Sequence, residues 1–184
     1  MILGITGTIG AGKGTVVDYL TQKGFAHYSV RDFLLQEIEN RGLPPDRDSM
    51  RTVANDIRAQ HEPEYIIKMM YEQAVAEGGN ALLESVRAIG EADFLKSEGV
   101  LLLAVDADRR VRYERIRARG LSTDNVDFDT WVEQERKELT STDPSGQNVI
   151  GVMLKADYLI ENDGTLDELH AKIDEMLSAI DTHE

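Results

Sequence analysis

Short apolar runs alternate with amphipathic segments along the whole chain. Five runs have the length and composition of buried strands, at 1–5, 25–30, 81–84, 99–105 and 156–160. The segments between them place apolar residues three and four positions apart, which is the spacing of a helix with one buried face. Strands that alternate with helices in this way favour a parallel sheet with right-handed crossovers. We therefore predict an α/β fold with a five-stranded parallel sheet and helices on both faces.

A glycine-rich loop joins the first predicted strand to the first predicted helix. Residues 7–15 read G-T-I-G-A-G-K-G-T. Glycines allow successive backbone N–H groups to point at one anion, and the helix N-terminus adds partial positive charge. A lysine at this position can reach the terminal phosphates of a nucleotide. The residues predicted to bind phosphate are Gly7, Ile9, Gly10, Ala11, Gly12, Lys13, Gly14 and Thr15.

The hydroxyl of this loop comes one residue later than in the strict pattern G-x-x-x-x-G-K-[ST]. Gly14 follows the lysine, and Thr15 is the first residue with a hydroxyl group. Since Mg²⁺ commonly keeps several waters, Thr15 can meet the metal directly, meet it through water, or touch a phosphate instead. Thr15 is one candidate metal residue.

The third predicted strand ends in a carboxylate, and an arginine follows it. Glu84 stands where a P-loop protein places an acid beside bound magnesium. Arg87 follows at the carboxyl edge of the strand, where α/β sheets bind ligands. The alternative interpretation is a strand end followed by an exposed charge. We predict Glu84 as the second metal residue and Arg87 as a substrate-binding residue.

Arginines are concentrated in two predicted helices. In the helix at 109–119, the spacing of Arg112, Arg115 and Arg119 places them on one face. This stripe predicts a local positive surface, and a salt-bridged outer helix is the alternative. In the helix at 46–60, we interpret Arg51 and Arg58 as solvated surface residues.

Composition limits the kinds of partner. The 184 residues include 34 acidic and 20 basic side chains, for a formal charge of −14. A general nucleic-acid surface needs a broad basic face and is not expected. Apolar runs fall far short of the roughly 18 residues of a membrane span. With no cysteine and no room for a signal peptide, we expect a cytoplasmic protein. The sequence leaves the oligomeric state open.

Several phrases of the sequence resemble those of P-loop nucleotide kinases. The loop G-A-G-K-G-T resembles that of adenylate-kinase-like nucleoside monophosphate kinases, whereas I-T-G-T-I-G and A-D-Y-L-I-E-N-D-G resemble dephospho-coenzyme-A kinases. The phrase E-R-I-R-A-R-G resembles the segment leading into the lid of adenylate-kinase-type enzymes. The third strand resembles a strand-Asp-Gly-x-x-Arg segment, with Glu84 for Asp and Ser85 for Gly. From end to end, the chain most resembles a mainly archaeal group related to both classes.

The resemblance implies a P-loop NTP hydrolase fold and ATP and Mg²⁺ as cofactors. It implies a single kinase domain over 1–184, with an acceptor-binding segment at about 30–77 and a lid at about 120–147. The catalytic residues that it implies are Lys13, Arg115, Arg119 and Arg136. The turn carrying Asn162 and Gly164 would bind the adenine, and the acceptor would be bound by Arg31, Asp32 and Arg87.

Together these features predict ATP-dependent phosphoryl transfer to a small phosphorylated acceptor, foremost a nucleoside monophosphate. One alternative is a kinase for a hydroxyl acceptor, as in dephospho-coenzyme-A kinases, with Asp32 as the base. The other is an ATP- or GTP-driven switch or scaffold, which would hydrolyse nucleotide without any acceptor. Against a GTPase, no N-K-x-D phrase follows an appropriate strand.

Overall fold

The computed structural model of the chain describes residues 1–120, 126–139 and 146–182. Its strands form one sheet in the order β2-β3-β1-β4-β5, and every neighbouring pair is parallel. The strands are β1 (Ile2–Gly7), β2 (Ala26–Ser29), β3 (Ala81–Glu84), β4 (Leu101–Asp106) and β5 (Tyr158–Glu161). The predicted five-stranded parallel sheet is confirmed.

Helices fill the connections between the strands. In the described residues they are α1 (Lys13–Gln22), α2 (Val30–Asn40), α3 (Arg47–Gln60), α4 (Tyr65–Glu77), α5 (Ile89–Ser97), α6 (Arg109–Arg119), α7 (Phe128–Leu139), α8 (Val149–Met153) and α9 (Leu166–Asp181). None of the helices in this part of the chain combines the length and the apolar character of a membrane span.

The sheet has a separate apolar core on each face. Leu83 and Leu102 belong to the core that α2, α3, α4, α5 and α8 cover. Their neighbours Leu82 and Leu103 belong to the opposite core, which α1 and α9 cover. Because successive side chains of a strand point to opposite faces, both faces of β3 and β4 are buried. The prediction of helices on both faces is therefore confirmed.

The second strand is shorter than the apolar run at 25–30 predicts. The Oγ of Ser29 accepts a hydrogen bond at 3.1 Å from the backbone N–H of Asp32. Ser29 is thus the N-cap of α2, and Val30 is already helical. The chain after β2 therefore continues directly into α2, whose first turn lines the cavity described below.

The carboxyl ends of the strands lie along one edge of the sheet because all the pairs are parallel. Ile5 is paired with Glu84 in the register of β1 and β3, and Gly7 is paired with Val105 in the register of β1 and β4. The glycine loop therefore emerges between the ends of its two neighbouring strands, where α/β sheets bind ligands.

Candidate active site

The glycine loop curls tightly at the start of α1. Gly10 and Gly12 have left-handed backbone angles, with φ values of 80° and 96°. The ammonium group of Lys13 donates to the carbonyl oxygens of Gly7 at 2.9 Å and Thr8 at 2.8 Å. Lys13 therefore lies over the loop at the helix N-terminus, where backbone N–H groups and the helix dipole favour an anion.

Two buried side chains support the loop from behind. The Nδ2 of Asn162 donates to the carbonyl oxygen of Ala11 at 2.8 Å, and a side chain on Gly12 would overlap that amide. The guanidinium of Arg112 donates to the carbonyl oxygen of Ile9 at 3.1 Å. Both contacts fix the curvature of the loop and leave its inner surface to a ligand.

A cavity of about 550 Å³ opens in front of the loop. It is bounded by the loop, the first turn of α2, α3, the end of β3, α6 and the segment before α8. Among the described residues, six basic and two acidic side chains line it, although the chain has a net charge of −14. The basic residues are Lys13, Arg31, Arg51, Arg87, Arg115 and Arg119, and the acidic ones are Asp18 and Glu84.

Most of the site residues predicted from the sequence meet in this cavity. Those lining it are Ile9, Gly10, Gly12, Lys13, Gly14, Thr15, Arg31, Glu84, Arg87, Arg115 and Arg119. Those that do not line it are Gly7, Ala11, Asp32, Arg136, Asn162 and Gly164. Gly7 and Ala11 belong to the back of the loop: both are buried, and Gly7 packs against the backbone of Val105.

The structure does not bring Asp32, Arg136 or Gly164 to the cavity. Asp32 is an exposed residue in the first turn of α2. Arg136 is exposed on α7, and its guanidinium pairs with Glu133 at 2.9 Å. Gly164 is exposed in the turn before α9, close to the side chain of Glu168. Residues 121–125 and 140–145 of the predicted lid lie outside the described residues.

The arginine stripe of α6 has two different roles. Arg115 lines the cavity and donates to the carbonyl oxygen of Asn162 at 2.8 Å, and Arg119 lines the cavity one turn later. Arg112 is 4% exposed and pairs with Glu135 of α7 inside the protein. The predicted positive surface is therefore formed by Arg115 and Arg119, while Arg112 joins α6 to α7.

Glu84 lies on the cavity wall and is paired with a histidine. Its Oε2 is 2.9 Å from the Nε2 of His27, which lies on β2 two residues before Ser29, the register partner of Glu84. Burial alone would raise the pKa of Glu84, but the hydrogen bond from His27 and the charges of Lys13 and Arg87 outweigh it and lower that pKa. The hydrogen bond to Glu84 raises the pKa of His27. Glu84 is thus held as a carboxylate at the edge of the sheet.

The backbone between Glu84 and Arg87 is fixed in an unusual conformation. Ser85 has a φ of 74°, the left-handed region that glycine adopts most easily. The N–H groups of Ser85 and Val86 both donate to the carbonyl oxygen of Ile5. This turn brings Arg87 back to the cavity, where its guanidinium donates to the Oε1 of Gln147 at 3.3 Å.

Sequence reasoning missed several residues of α3. Met50 and Arg51 line the cavity, and a guanidinium nitrogen of Arg51 lies 2.8 Å from Asp48. The interpretation of Arg58 as a solvated residue was wrong, because Arg58 is 2% exposed and paired with Glu91. Arg58 follows Ala54 by four residues and so shares its buried helical face, but its partner Glu91 comes from another helix, which the spacing along α3 does not show. Gln147, in the segment before α8, also lines the cavity and was missed.

The sheet order, the glycine loop and the cavity in front of it define a P-loop protein with a kinase-like fold. A family model described as AAA domain matches residues 3–141, more than half of the chain, and the chain therefore belongs to that family.

The chain is also similar to a UPF0200 protein of Pyrococcus horikoshii, at 29% identity over 98% of this chain and 97% of the relative. This relative is of the archaeal group that the sequence resembles. Among solved structures, the chain is similar to shikimate kinase from Bacteroides thetaiotaomicron, with a TM-score of 0.62, 12% identity and coverage of 97% and 98% of the two chains. It is likewise similar to deoxyadenosine kinase from M. mycoides, with a TM-score of 0.57, 13% identity and coverage of 97% and 100%. At these identities the likeness to the two kinases concerns the fold.

Proposed function

We propose that this protein transfers a phosphoryl group from ATP to a small phosphorylated acceptor, foremost a nucleoside monophosphate. The observation that carries the proposal is the gathering of six basic side chains around one cavity in a chain of net charge −14. Such a concentration of positive charge suits two phosphate-bearing ligands placed end to end. Phosphoryl transfer depends mainly on positioning and on neutralising charge, which these residues can supply.

The donor side of the cavity is the glycine loop and α6. Backbone N–H groups of the loop would hold the phosphate chain, and Lys13 would move from its two carbonyl partners to the terminal phosphates. Arg115 and Arg119 approach from α6 and would stabilise the charge of the transferring group. Arg136 would join them only after α7 has moved, because it is exposed, pairs with Glu133 and does not line the cavity.

Magnesium fits the chemistry of this site. Thr15 and the carboxylate of Glu84 line the same cavity as Lys13, so a hydroxyl and an acid would be available to an ion held at a nucleotide's phosphates. Hard oxygen ligands of this kind suit Mg²⁺, which keeps several of its waters. The ion supplies neutralisation of phosphate charge when it is bound. Glu84 would orient its waters.

The acceptor side of the cavity combines positive charge with an apolar wall. Arg31, Arg51 and Arg87 can seat a phosphate. The apolar surface next to them is formed by Val30, Leu34 and Met50, and Gln147 adds an amide. A planar base needs apolar contacts and a few polar groups at its edge. A nucleoside monophosphate presents both of these and a phosphate.

The phosphate acceptor is preferred to a hydroxyl acceptor because of Asp32. A hydroxyl acceptor needs a base close to the reacting oxygen, and the carboxylate of Asp32, the base predicted for it, does not line the cavity. Of the two acids that do line it, Glu84 is assigned to the metal and Asp18 belongs to α1, the helix that follows the donor loop. An acceptor phosphate is already an anion and needs no base.

The first test is a screen of ADP production from ATP and Mg²⁺ with added acceptors. The acceptors are AMP, CMP, UMP, GMP, their deoxy forms and dephospho-coenzyme A. We expect stimulation by one or more of the monophosphates. Stimulation by dephospho-coenzyme A alone would replace the proposal with hydroxyl transfer, and a slow rate that no acceptor changes would replace it with an ATPase.

The second test compares two arginines of the same helix. Removing one donor to developing charge typically lowers kcat by about 100-fold or more, so we expect Arg119→Ala to lose at least that much transfer. Arg117→Ala is the matched control, because Arg117 is exposed on α6 and does not line the cavity. The two variants should unfold at the same temperature as the wild-type protein. Near-normal transfer by Arg119→Ala would refute the role given to this residue.

A further inference from the structure

A fully buried ion pair lies beside the acceptor side of the cavity. The side chains of Arg58 on α3 and Glu91 on α5 are 1% and 0% exposed. One oxygen of Glu91 accepts from Nε of Arg58 at 2.9 Å and from a second nitrogen of the same guanidinium at 2.6 Å. Neither residue lines the cavity.

The other oxygen of Glu91 holds the backbone of the residue that reaches into the cavity. It accepts from the N–H of Arg87 at 2.8 Å and from the N–H of Ala88 at 2.9 Å. Ala88 is the N-cap of α5, and a glutamate three residues later commonly bonds to that N–H. The bond to Arg87 extends this cap one residue further along the chain. A helix cap of this kind forms without a buried arginine, so the cap alone does not explain Arg58.

Both backbone polar groups of Arg87, its N–H and its carbonyl oxygen, are hydrogen-bonded. Its N–H is bound by Glu91, and its carbonyl oxygen accepts from the N–H of Asn148 at 2.8 Å. Within residues 85–88 it is the one charged side chain. The contacts of this turn therefore determine where one acceptor-side guanidinium enters the cavity.

The same ion pair also fixes a second wall of the acceptor side. Arg58 lies two helical turns after Arg51, so both arginines belong to one side of α3. Arg51 lines the cavity, whereas Arg58 reaches Glu91 across the core. The pair therefore links the helix that carries Arg51 to the turn that carries Arg87.

Stability alone is a poor explanation for this pair. Desolvation of two charges commonly offsets their attraction, so that an apolar pair of similar volume serves a core as well or better. A third nitrogen of Arg58, Nη1, is buried with no hydrogen-bond partner among the described residues, which adds to the cost.

We propose that Glu91 and Arg58 are positioning residues that hold Arg87 and α3 in the arrangement that binds the acceptor's phosphate. This inference rests on the proposed function. It means that the acceptor side is preformed, because α3 is tied to α5 by a charge pair and is not free to swing as a separate segment.

The test uses Glu91→Gln, which keeps the shape of the side chain but removes its charge. Small displacements of a binding group have large kinetic effects, so we expect the KM for the acceptor to rise by about tenfold. The KM for ATP should stay within about twofold, since the hydrogen bonds described for the pair reach neither the glycine loop nor α6. Asp93→Asn is the matched control: it removes a charge from an exposed residue of α5, and both KM values should stay unchanged.

Amide hydrogen exchange gives a readout that does not depend on catalysis. In Glu91→Gln, the amides of Arg87 and Ala88 should exchange faster, whereas the core amides of β1 and β4 should keep their protection. If Glu91→Gln does not fold, Arg58→Lys replaces it, because lysine keeps the buried charge and loses the paired N–H groups.

The outcomes separate the two proposals. Equal rises in both KM values, or a lower kcat with both KM values and the exchange at Arg87 unchanged, would show a merely structural pair and overturn the inference. If no acceptor stimulates the wild-type protein, the proposed function fails. Exchange at Arg87 then still decides whether the pair holds this residue, and normal exchange would overturn that as well.

Discussion

Breaking the buried pair between α6 and α7 should destabilise the protein in a way that a second substitution repairs. Arg112 and Glu135 have side chains that are 5% and 2% exposed, and a guanidinium nitrogen of Arg112 donates to Oε1 of Glu135. Of the basic side chains in the described residues, Arg112→Met leaves Arg109 beside the buried carboxylate: its Nε lies 3.2 Å from Oε2 but forms no hydrogen bond there. We expect the double variant Arg112→Met/Glu135→Leu to be more stable than Arg112→Met.

The magnitude follows from what each variant leaves behind. Removing one partner of a buried pair costs about 3–5 kcal/mol of unfolding free energy. The lower end, about 3 kcal/mol, applies to Arg112→Met, because Arg109 remains and α7 can move away to expose Glu135 to water. The double variant leaves neither charge of the pair in the core and should lose only about 1 kcal/mol, because the carbonyl oxygens of Ala107 and Ile9 still lose the N–H groups of Arg112. Adding Glu135→Leu should therefore recover about 2 kcal/mol of the stability lost in Arg112→Met.

The single tryptophan makes the assay specific to α7. Trp131 is 1% exposed, and its ring centre lies 5.3 Å from the guanidinium carbon of Arg112. Urea unfolding followed by tryptophan fluorescence reports the packing of α7, while far-UV circular dichroism reports the whole chain. In Arg112→Met the fluorescence transition should come at lower urea than the dichroism transition. A loss below about 1 kcal/mol for Arg112→Met, or a double variant less stable than the single one, would refute the reasoning.

Two further predictions concern the carboxyl edge of the sheet. The pKa of His27 is raised and that of Glu84 is lowered, so their pair stabilises the fold while both side chains are charged. This stabilisation is complete between the ordinary pKa values of 4.5 for Glu and 6.5 for His, and it is lost as the pH rises through the pKa of His27. His27→Gln should therefore lose about 0.5–1 kcal/mol near pH 5.5 and almost nothing near pH 8.5, measured by urea unfolding, and an equal loss at both values would contradict the pairing. Ser85→Gly should change stability by less than about 0.5 kcal/mol, because relief of the left-handed φ of 74° offsets the greater freedom of glycine in the unfolded chain. Ser85→Val should lose about 1–2 kcal/mol in the same measurement, and a neutral valine would show that this backbone is not strained.

Local patterns determined much of this protein. The central strands β1, β3 and β4 are apolar runs buried on both faces. The edge strands β2 and β5 are short and partly exposed. Apolar runs that alternate with amphipathic segments allowed the order and type of the elements to be predicted from the sequence. The glycine loop is also local, because Gly10 and Gly12 adopt left-handed angles that follow from residue type. Parallel strands share one carboxyl edge, and this placed Glu84 and Arg87 beside Lys13 without knowledge of any contact.

Only the tertiary structure decided the role of each arginine. Arg112, Arg115 and Arg119 are alike in sequence, but α7 packs against Arg112 and leaves the other two to the cavity. Arg58 is buried because Glu91, 33 residues away, supplies the charge that makes burial tolerable. An arginine side chain is long enough to place its guanidinium in water, in a cavity or in the core. It is buried where a carboxylate from another element pairs with it. That pairing depends on how the helices pack, which the spacing of residues along one helix does not contain.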